Sequence, residues 1–415
     1  MPARLVNKLR WSFRKNWPDV KGILLRHYPD FVLSDRVRDI GEQVPVFVFH
    51  SVTPGPFRAQ LAYLQENGYT TLNSDELLQV MTGKMEAPAK AVVLTFDDGT
   101  ASLYSVAKPL LEQFGFCAIS FIIPGCIPET APHMPTYTSE MDSTEDADSL
   151  LERERSDYPL CSWEEIKELH NSGTIDFQAH TMYHHLIFVG RQLVDFLHPK
   201  FDTHFYANVH VPVYYNNGSP DFTRKIELGA PVYRAEPRMS GKYQYYDDQK
   251  LRESCIRFVR ENGGEAFFKQ KKWRKELTAF YKNEVGSGTE GRYETPIELR
   301  QAIYEDLVTC RAIIEKRLNK KVEHFCFPWF IGSEAAMESA VKAGYKGLYW
   351  GLRSDTKINL PGGDPLRFVR LEDRFIFRLP GRGRKTITEL LLEKASLNLP
   401  LRGDRSQTKN AVQPA

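Results

Sequence analysis

The stretch Val92-Val93-Leu94-Thr95-Phe96-Asp97-Asp98-Gly99 ends an uncharged, strand-forming run with two adjacent carboxylates and a glycine. A run apolar at successive positions fits a strand covered on both faces, as in the parallel sheet of an α/β fold. Two neighbouring aspartates at its end repel each other and lose hydration, a cost that a bound cation relieves. Candidate ligands follow in His180-Thr181-Met182-Tyr183-His184, again after a short apolar run, 175–179. One carboxylate with two imidazoles is a donor set suited to a hydrolytic metal site that keeps a coordination position open. Histidines four apart also occur on plain surface helices, so the pairing of the two segments carries the reading.

Outward from this stretch, amphipathic segments repeatedly stop at a glycine and an apolar run follows: Gly68 before 69–72, Gly115 before 116–123, Gly173 before 174–179 and Gly344 before 345–352. Glycine tolerates the left-handed backbone that ends many helices. Phe57, Leu61 and Leu64 share a helical face, as do Val106, Leu110, Leu111 and Phe114, and Ser162 with Glu165 forms a capping box before Ile166. A further helix over 297–318 leads into an apolar run at 322–327. Strands separated by helices predict a βα barrel or an open parallel sheet.

The alternation breaks between 186 and 295, where Tyr, Phe and Pro replace the strand-helix rhythm. This reads as an insertion leaving the carboxyl end of the His180 strand, the face on which barrel active sites are built. Its aromatics, among them Tyr206, Tyr214, Tyr215, Tyr233, Tyr245, Tyr246 and Trp273, either stack on sugar faces or fill a small core. The connection 124–159 is polar and acidic in its middle and reads as a mobile loop. The resulting division is 1–40, a basic N-terminal segment; 41–185, the first barrel part; 186–295, the insertion; 296–395, the second barrel part; and 396–415, a polar tail read as disordered.

Composition excludes several classes. With 415 residues, 42% hydrophobic and 26% charged, the chain is an ordinary globular protein. A net charge of +2 and the lack of a recognition motif argue against nucleic acid as a partner. Six cysteines without a C-x-x-C pair exclude a thiolate zinc knot, and Cys117 and Cys326 read as core residues. No apolar leader and no run of 18 uncharged apolar residues is present, so the expected location is cytoplasmic. Within 4–17, Leu5, Leu9, Phe13 and Trp17 recur among five cations, an amphipathic pattern suited either to packing on the domain or to peripheral contact with the inner membrane face.

Thr95-Phe96-Asp97-Asp98-Gly99 followed by His180-Thr181-Met182-Tyr183-His184 resembles the first two motifs of the polysaccharide deacetylase family, the NodB-homology or carbohydrate esterase 4 group. The resemblance covers roughly 44–185 and 297–375. It implies a distorted (β/α)7 barrel with a large insertion, and a divalent metal, zinc in the first place, held by Asp98, His180 and His184. It also implies that Asp97 is the general base. Most members carry a general acid in a C-terminal Leu-x-His motif, but no histidine follows His324 here. Val46-Phe47-Val48-Phe49-His50 instead looks like the circularly permuted branch that includes poly-N-acetylglucosamine deacetylases, which makes His50 the candidate acid. First and last strands are neighbours in a closed barrel, so this permutation costs little geometrically.

The third motif departs from the pattern: Cys326-Phe327-Pro328-Trp329 stands where many relatives have Arg-x-Pro, so the base-orienting arginine is missing there. Pro328, Trp329 and Arg370 are assigned to the substrate groove, with Arg370 and Asp364 also considered as supports for Asp97 or His50. Thr181 reads as an orienting or turn residue, and His185 as a bystander or a replacement for His184. The implied activity is metal-dependent removal of an N-acetyl group from a carbohydrate, either a glycan polymer or a nucleotide- or lipid-linked cell-envelope sugar intermediate, with oligomeric state open. Competing readings keep the site but hydrolyse a formamide, an O-acetyl ester or a cyclic imide, or bind glycan without turnover.

Overall fold

In the computed structural model, the described residues are 22, 25–141, 144–156, 158–201, 214–216, 219–221, 227–286, 291–352 and 355–397. The basic segment 4–17, Tyr206 and the tail from 398 onward lie outside them. Contacts divide the chain into two compact units, one drawn from 1–181, 310–330 and 344–407, the other from 182–309, 331–343 and 408–415.

The first unit is built on β1 (Val46–Phe49), β2 (Ala91–Asp98), β3 (Ala118–Ile122), β4 (Ile175–Ala179), β5 (His324–Cys326), β6 (Gly347–Trp350) and β7, whose halves are Phe368–Val369 and Leu371–Glu372. All neighbours are parallel, in the order β1 to β7. The first half of β7 pairs with β6 and the second half with β1, so one interrupted strand joins both edges of the sheet. This makes a barrel of the expected (β/α)7 kind. Its distortion lies at β4 and β5, which share a single paired position, Phe325 with Ala179.

Side chains alternate between the two faces of β2, and that alternation positions the first aspartate. Ala91 and Val93 enter a cluster with Val46, Ile119, Phe121, Cys326, Tyr349 and Phe368, which fills the barrel. By period two, Thr95 and Asp97 point the same way. Phe96 points outward, stacking on Phe49 at 5.0 Å and meeting Phe57 edge-on at 5.7 Å. Phe57 belongs to α1 (Pro54–Glu66), the first helix layered on the outside. Burying each such phenylalanine stabilises the fold by about 1.5–3 kcal/mol.

Helices α2 (Ser74–Met81), α3 (Lys108–Phe114) and α4 (Trp163–Asn171) come next, and α4 carries the Ser162–Glu165 capping box. Gly68, Gly115, Gly173 and Gly344 all have positive φ, as their position at helix ends requires. The connection 124–159 is more ordered than its composition indicated. It holds a helix, Thr144–Leu150, and is pinned by buried Arg153, whose guanidinium grips both oxygens of Glu165 at 2.6 and 2.7 Å.

The second unit also has more regular structure than the sequence rhythm suggested. An antiparallel pair, Leu186–Phe196 with Pro231–Pro237, packs with α5 (Gln249–Glu261) and α6 (Trp273–Gly286). Asp248 caps α5 by accepting from the Leu251 N–H at 2.9 Å. Leu251, Cys255, Ile256 and Val259 form its buried stripe, a short helical period hidden among charged residues. Tyr233 and Tyr245 are buried here and serve as core. The long α7 (Pro296–Leu318) and α8 (Glu334–Lys342) come later in the chain, and α9 (Ile387–Leu397) ends the described part. Among the described residues no helix is long and apolar enough to cross a membrane.

Candidate active site

The carboxyl ends of the strands bring the singled-out residues to one level. Asp97 and Asp98 pair with Phe121 and Ile122 of β3, and Ile122 pairs on its other side with Ala179. The His180 N–H then donates to the Ile122 carbonyl at 3.0 Å. Ile122 thus sets Asp98 and His180 on either flank, with Nε2 of the imidazole 3.6 Å from Oδ1 of the carboxylate. His50 directly follows β1, whose Phe49 pairs with Phe96, so it emerges beside Asp97 and is open to solvent.

Local backbone serves the same end. Asp98, Thr181 and His184 have φ values of +71°, +67° and +47°, a region that non-glycine residues seldom occupy. Such conformations persist where surrounding structure enforces them, and they cluster at functional sites. Gly99 continues the turn with φ +77°, and a Cβ there would lie 2.9 Å from Cγ2 of Ile122.

Arg370, read from the sequence as a groove residue or as a support for Asp97 or His50, sits inside the barrel and is only 2% exposed. Its Nη1 donates to Oδ1 of Asp97 at 2.7 Å and its Nη2 to Oδ2 at 2.9 Å. Nη1 also reaches Oγ1 of Thr95 at 3.3 Å, and Nη2 lies 2.8 Å from Sγ of Cys326. Position 326 therefore makes room with a small side chain for a guanidinium delivered by the closing strand. The stretch Phe368-Val369-Arg370-Leu371, a cation inside an apolar strand, was the signal that marked it. Asp364 is elsewhere: exposed, it caps the turn at Leu366 and pairs with Arg367 at 3.2 Å.

Electrostatics separate the two aspartates. Burial pushes Asp97 up, but the Arg370 charge and hydrogen bonds, with His180 and His50 nearby, hold it well below the usual carboxylate range. Burial raises Asp98, opposed by His50 and His180 and reinforced by Asp97. Asp97 is thus held as an ionised carboxylate with its own cation, whereas Asp98 gains from a positive charge brought to it.

A metal ion fits that demand. Nδ1 of His180 lies 2.9 Å from the Cys326 carbonyl. A carbonyl only accepts, so Nδ1 carries the proton and Nε2, the basic nitrogen, faces Asp98. Ligand atoms of Asp98, His180 and His184 lie within 4.8 Å of one another, all buried. A second group within the same span, Asp97, His180 and Cys326, suits a cation less. Both Asp97 oxygens are engaged by a guanidinium there, and burial holds the Cys326 thiol protonated.

His185 is no ligand in either group. It is buried, its carbonyl accepts from the Arg238 N–H at 3.2 Å, and burial, Arg238 and His184 push its ring down to about 3. Two anchors of this loop were not read from the sequence. Oδ1 of Asp306, on α7, accepts the Met182 N–H at 2.8 Å, and Arg238 forms a buried fork with Glu294 at 3.0 and 2.7 Å. Of the remaining groove candidates, Pro328 is buried, while Trp329 is half-buried with φ +51° and is followed by exposed Phe330 with φ +60°. Phe330 covers the Arg370 guanidinium at 5.0 Å.

Residues 84–200 match the polysaccharide deacetylase family. The poly-beta-1,6-N-acetyl-D-glucosamine N-deacetylase of Escherichia coli is 29% identical over 137 residues, 33% of this chain and 18% of its own length. The protein of the same name from Staphylococcus aureus is 25% identical over 132 residues, 32% of this chain and 37% of its own length. The chain thus spans well under two thirds of either relative. A solved de-N-acetylase from Aggregatibacter actinomycetemcomitans is similar with a TM-score of 0.49 and 15% identity, over 84% of this chain and 99% of that one. The family match encloses Asp97, Asp98, His180 and His184, so it is over the candidate site residues that the chain is similar to the polysaccharide deacetylase family.

Proposed function

We propose that this chain hydrolyses the N-acetyl group of an amino-sugar glycan, using a divalent metal ion, zinc by its donor set, held by Asp98, His180 and His184. The carrying observation is the separation of two adjacent carboxylates, one locked on Arg370 and the other grouped with two imidazoles. An ion bound there supplies Lewis acidity toward the acyl oxygen and makes water more acidic. Asp97 accepts the proton of the attacking water. Arg370 keeps that carboxylate ionised and oriented. His50, accessible beside it, gives a proton to the departing amine nitrogen as the C–N bond breaks. The N-acetylglucosamine polymer named for the relatives supports an N-acetylated glycan as the substrate, and a lipid-linked N-acetylated sugar carries the same reacting group.

The test is acetate release by metal-loaded protein from N-acetylglucosamine oligomers and lipid-linked N-acetyl sugars, beside N-formyl and O-acetyl analogues. Release from the N-acetyl substrates that is lost in Asp97→Asn supports the reading. Turnover only of the formyl or O-acetyl compounds, or an Asp97→Asn variant as active as the parent, removes it.

A further inference from the structure

Lys269-Gln270-Lys271-Lys272-Trp273-Arg274-Lys275 places five cations and no acid in seven residues, in a chain whose net charge is only +2. The run enters α6, and all five cationic side chains are exposed. Its base is packed and hydrogen-bonded. Trp273 packs edge-on against Phe268 at 4.9 Å and tilts on His198 at 5.3 Å. Arg274 covers the same indole at 4.6 Å and donates to Asp195 at 3.1 and 2.7 Å. Among the described residues no carboxylate lies within ion-pair distance of Lys269, Lys271, Lys272 or Lys275. Four uncommitted ammonium groups therefore flank a packed aromatic ring whose covering arginine is itself committed to Asp195.

We infer that this face binds an anionic lipid surface. Uncommitted lysines on flexible stems lower their free energy by approaching a plane of negative headgroups, each by a comparable amount, without needing shape complementarity. A nucleic acid strand fits less well: the one aromatic ring in the run is covered by Arg274, Phe268 and His198, so it offers no stacking platform. The site is separate from the residues of the proposed reaction, and its test needs no turnover, so each reading stands or falls alone.

Co-sedimentation of the full chain with vesicles containing about a third phosphatidylglycerol in phosphatidylcholine, against pure phosphatidylcholine, reads the binding directly. The expected result is selective partition into the anionic vesicles, weakened by salt. The combined variant Lys269→Gln, Lys271→Gln, Lys272→Gln, Lys275→Gln then loses at least about tenfold in partition, with an unchanged melting curve. A control neutralising Arg4, Lys8, Arg10, Arg14 and Lys15 separates the N-terminal run. Partition equal for both vesicles, partition unaffected by the four substitutions, or loss only in the N-terminal control overturns the inference. So does a preference for single-stranded oligonucleotide that leaves vesicles unbound.

Discussion

Arg370 holds Asp97 through two parallel N–H···O bonds of 2.7 and 2.9 Å, although 273 positions separate them in the chain. Both are buried, with Asp97 3% exposed. Removing one partner of such a pair strands the other charge in a poorly hydrated site, at a cost of about 3–5 kcal/mol. Arg370→Met is therefore expected to lower the urea midpoint strongly. Arg370→Lys keeps the charge but not the fork, and is expected to lower kcat far more than it raises KM. A kcat at the parental value for Arg370→Lys would show that the fork does nothing for the base.

A proton donor at His50, as proposed, would matter in proportion to how poor the leaving group is. For His50→Gln, hydrolysis of an N-acetyl sugar is expected to fall by about 10²–10⁴. Hydrolysis of a nitrophenyl acetate, whose leaving group needs no proton, is expected to change little. Equal loss on both substrates would point to a structural part for His50.

His184→Ala removes one of three grouped donors. Elemental analysis is expected to find about one divalent ion per chain in the parent and none retained in the variant. Metal at about a hundred times its Kd stabilises the parent by about 2.7 kcal/mol, so its melting point rises on loading while that of the variant stays put. A variant that still melts higher with metal would move the ion to other ligands.

Asp306 gives the clearest pH effect. Burial pushes its carboxyl up from 3.8 to about 7, opposed by the Met182 N–H and Arg238. A folded-state value above the unfolded one means that its stabilising contribution is complete below about pH 4 and disappears as pH rises through about 7. Asp306→Asn keeps an acceptor for Met182 and cannot ionise. In urea titrations the variant is expected to gain on the parent between pH 4 and 7, staying ahead at pH 8, with the gap near its smallest at acid pH. A gap independent of pH would show that Asp306 titrates normally.

Gly99→Ala meets two penalties, the left-handed φ of +77° and the contact of 2.9 Å with Ile122. Gly115→Ala, at φ +71° with nothing near its added carbon, meets only the first. Expected costs are about 1–3 kcal/mol for position 99 and about 1 kcal/mol for position 115. Similar urea midpoints for the two variants would mean that the β2 turn relaxes around the new methyl.

The βα order and the chain positions of Asp97, Asp98, His180 and His184 were legible in one dimension. Apolar runs, left-handed glycines and strand-end acids each report a local backbone demand. Helix α5 escaped because its apolar stripe is short and set among charges, so packing rather than periodicity stabilises it. Cys326 looked like a missing arginine when taken alone. By itself the sequence determined the strand-helix order of the barrel and which carboxylates and imidazoles end its strands, because secondary structure and side-chain chemistry are local properties. Only the tertiary structure decided that Arg370 serves Asp97 and does not line a groove, and that Asp306 and Arg238 secure the loop ending in His184 and His185. Those partnerships depend on how β7 joins β6 to β1 and on how α7 meets the loop, and strand register and closure are set by the collective packing of residues hundreds of positions apart.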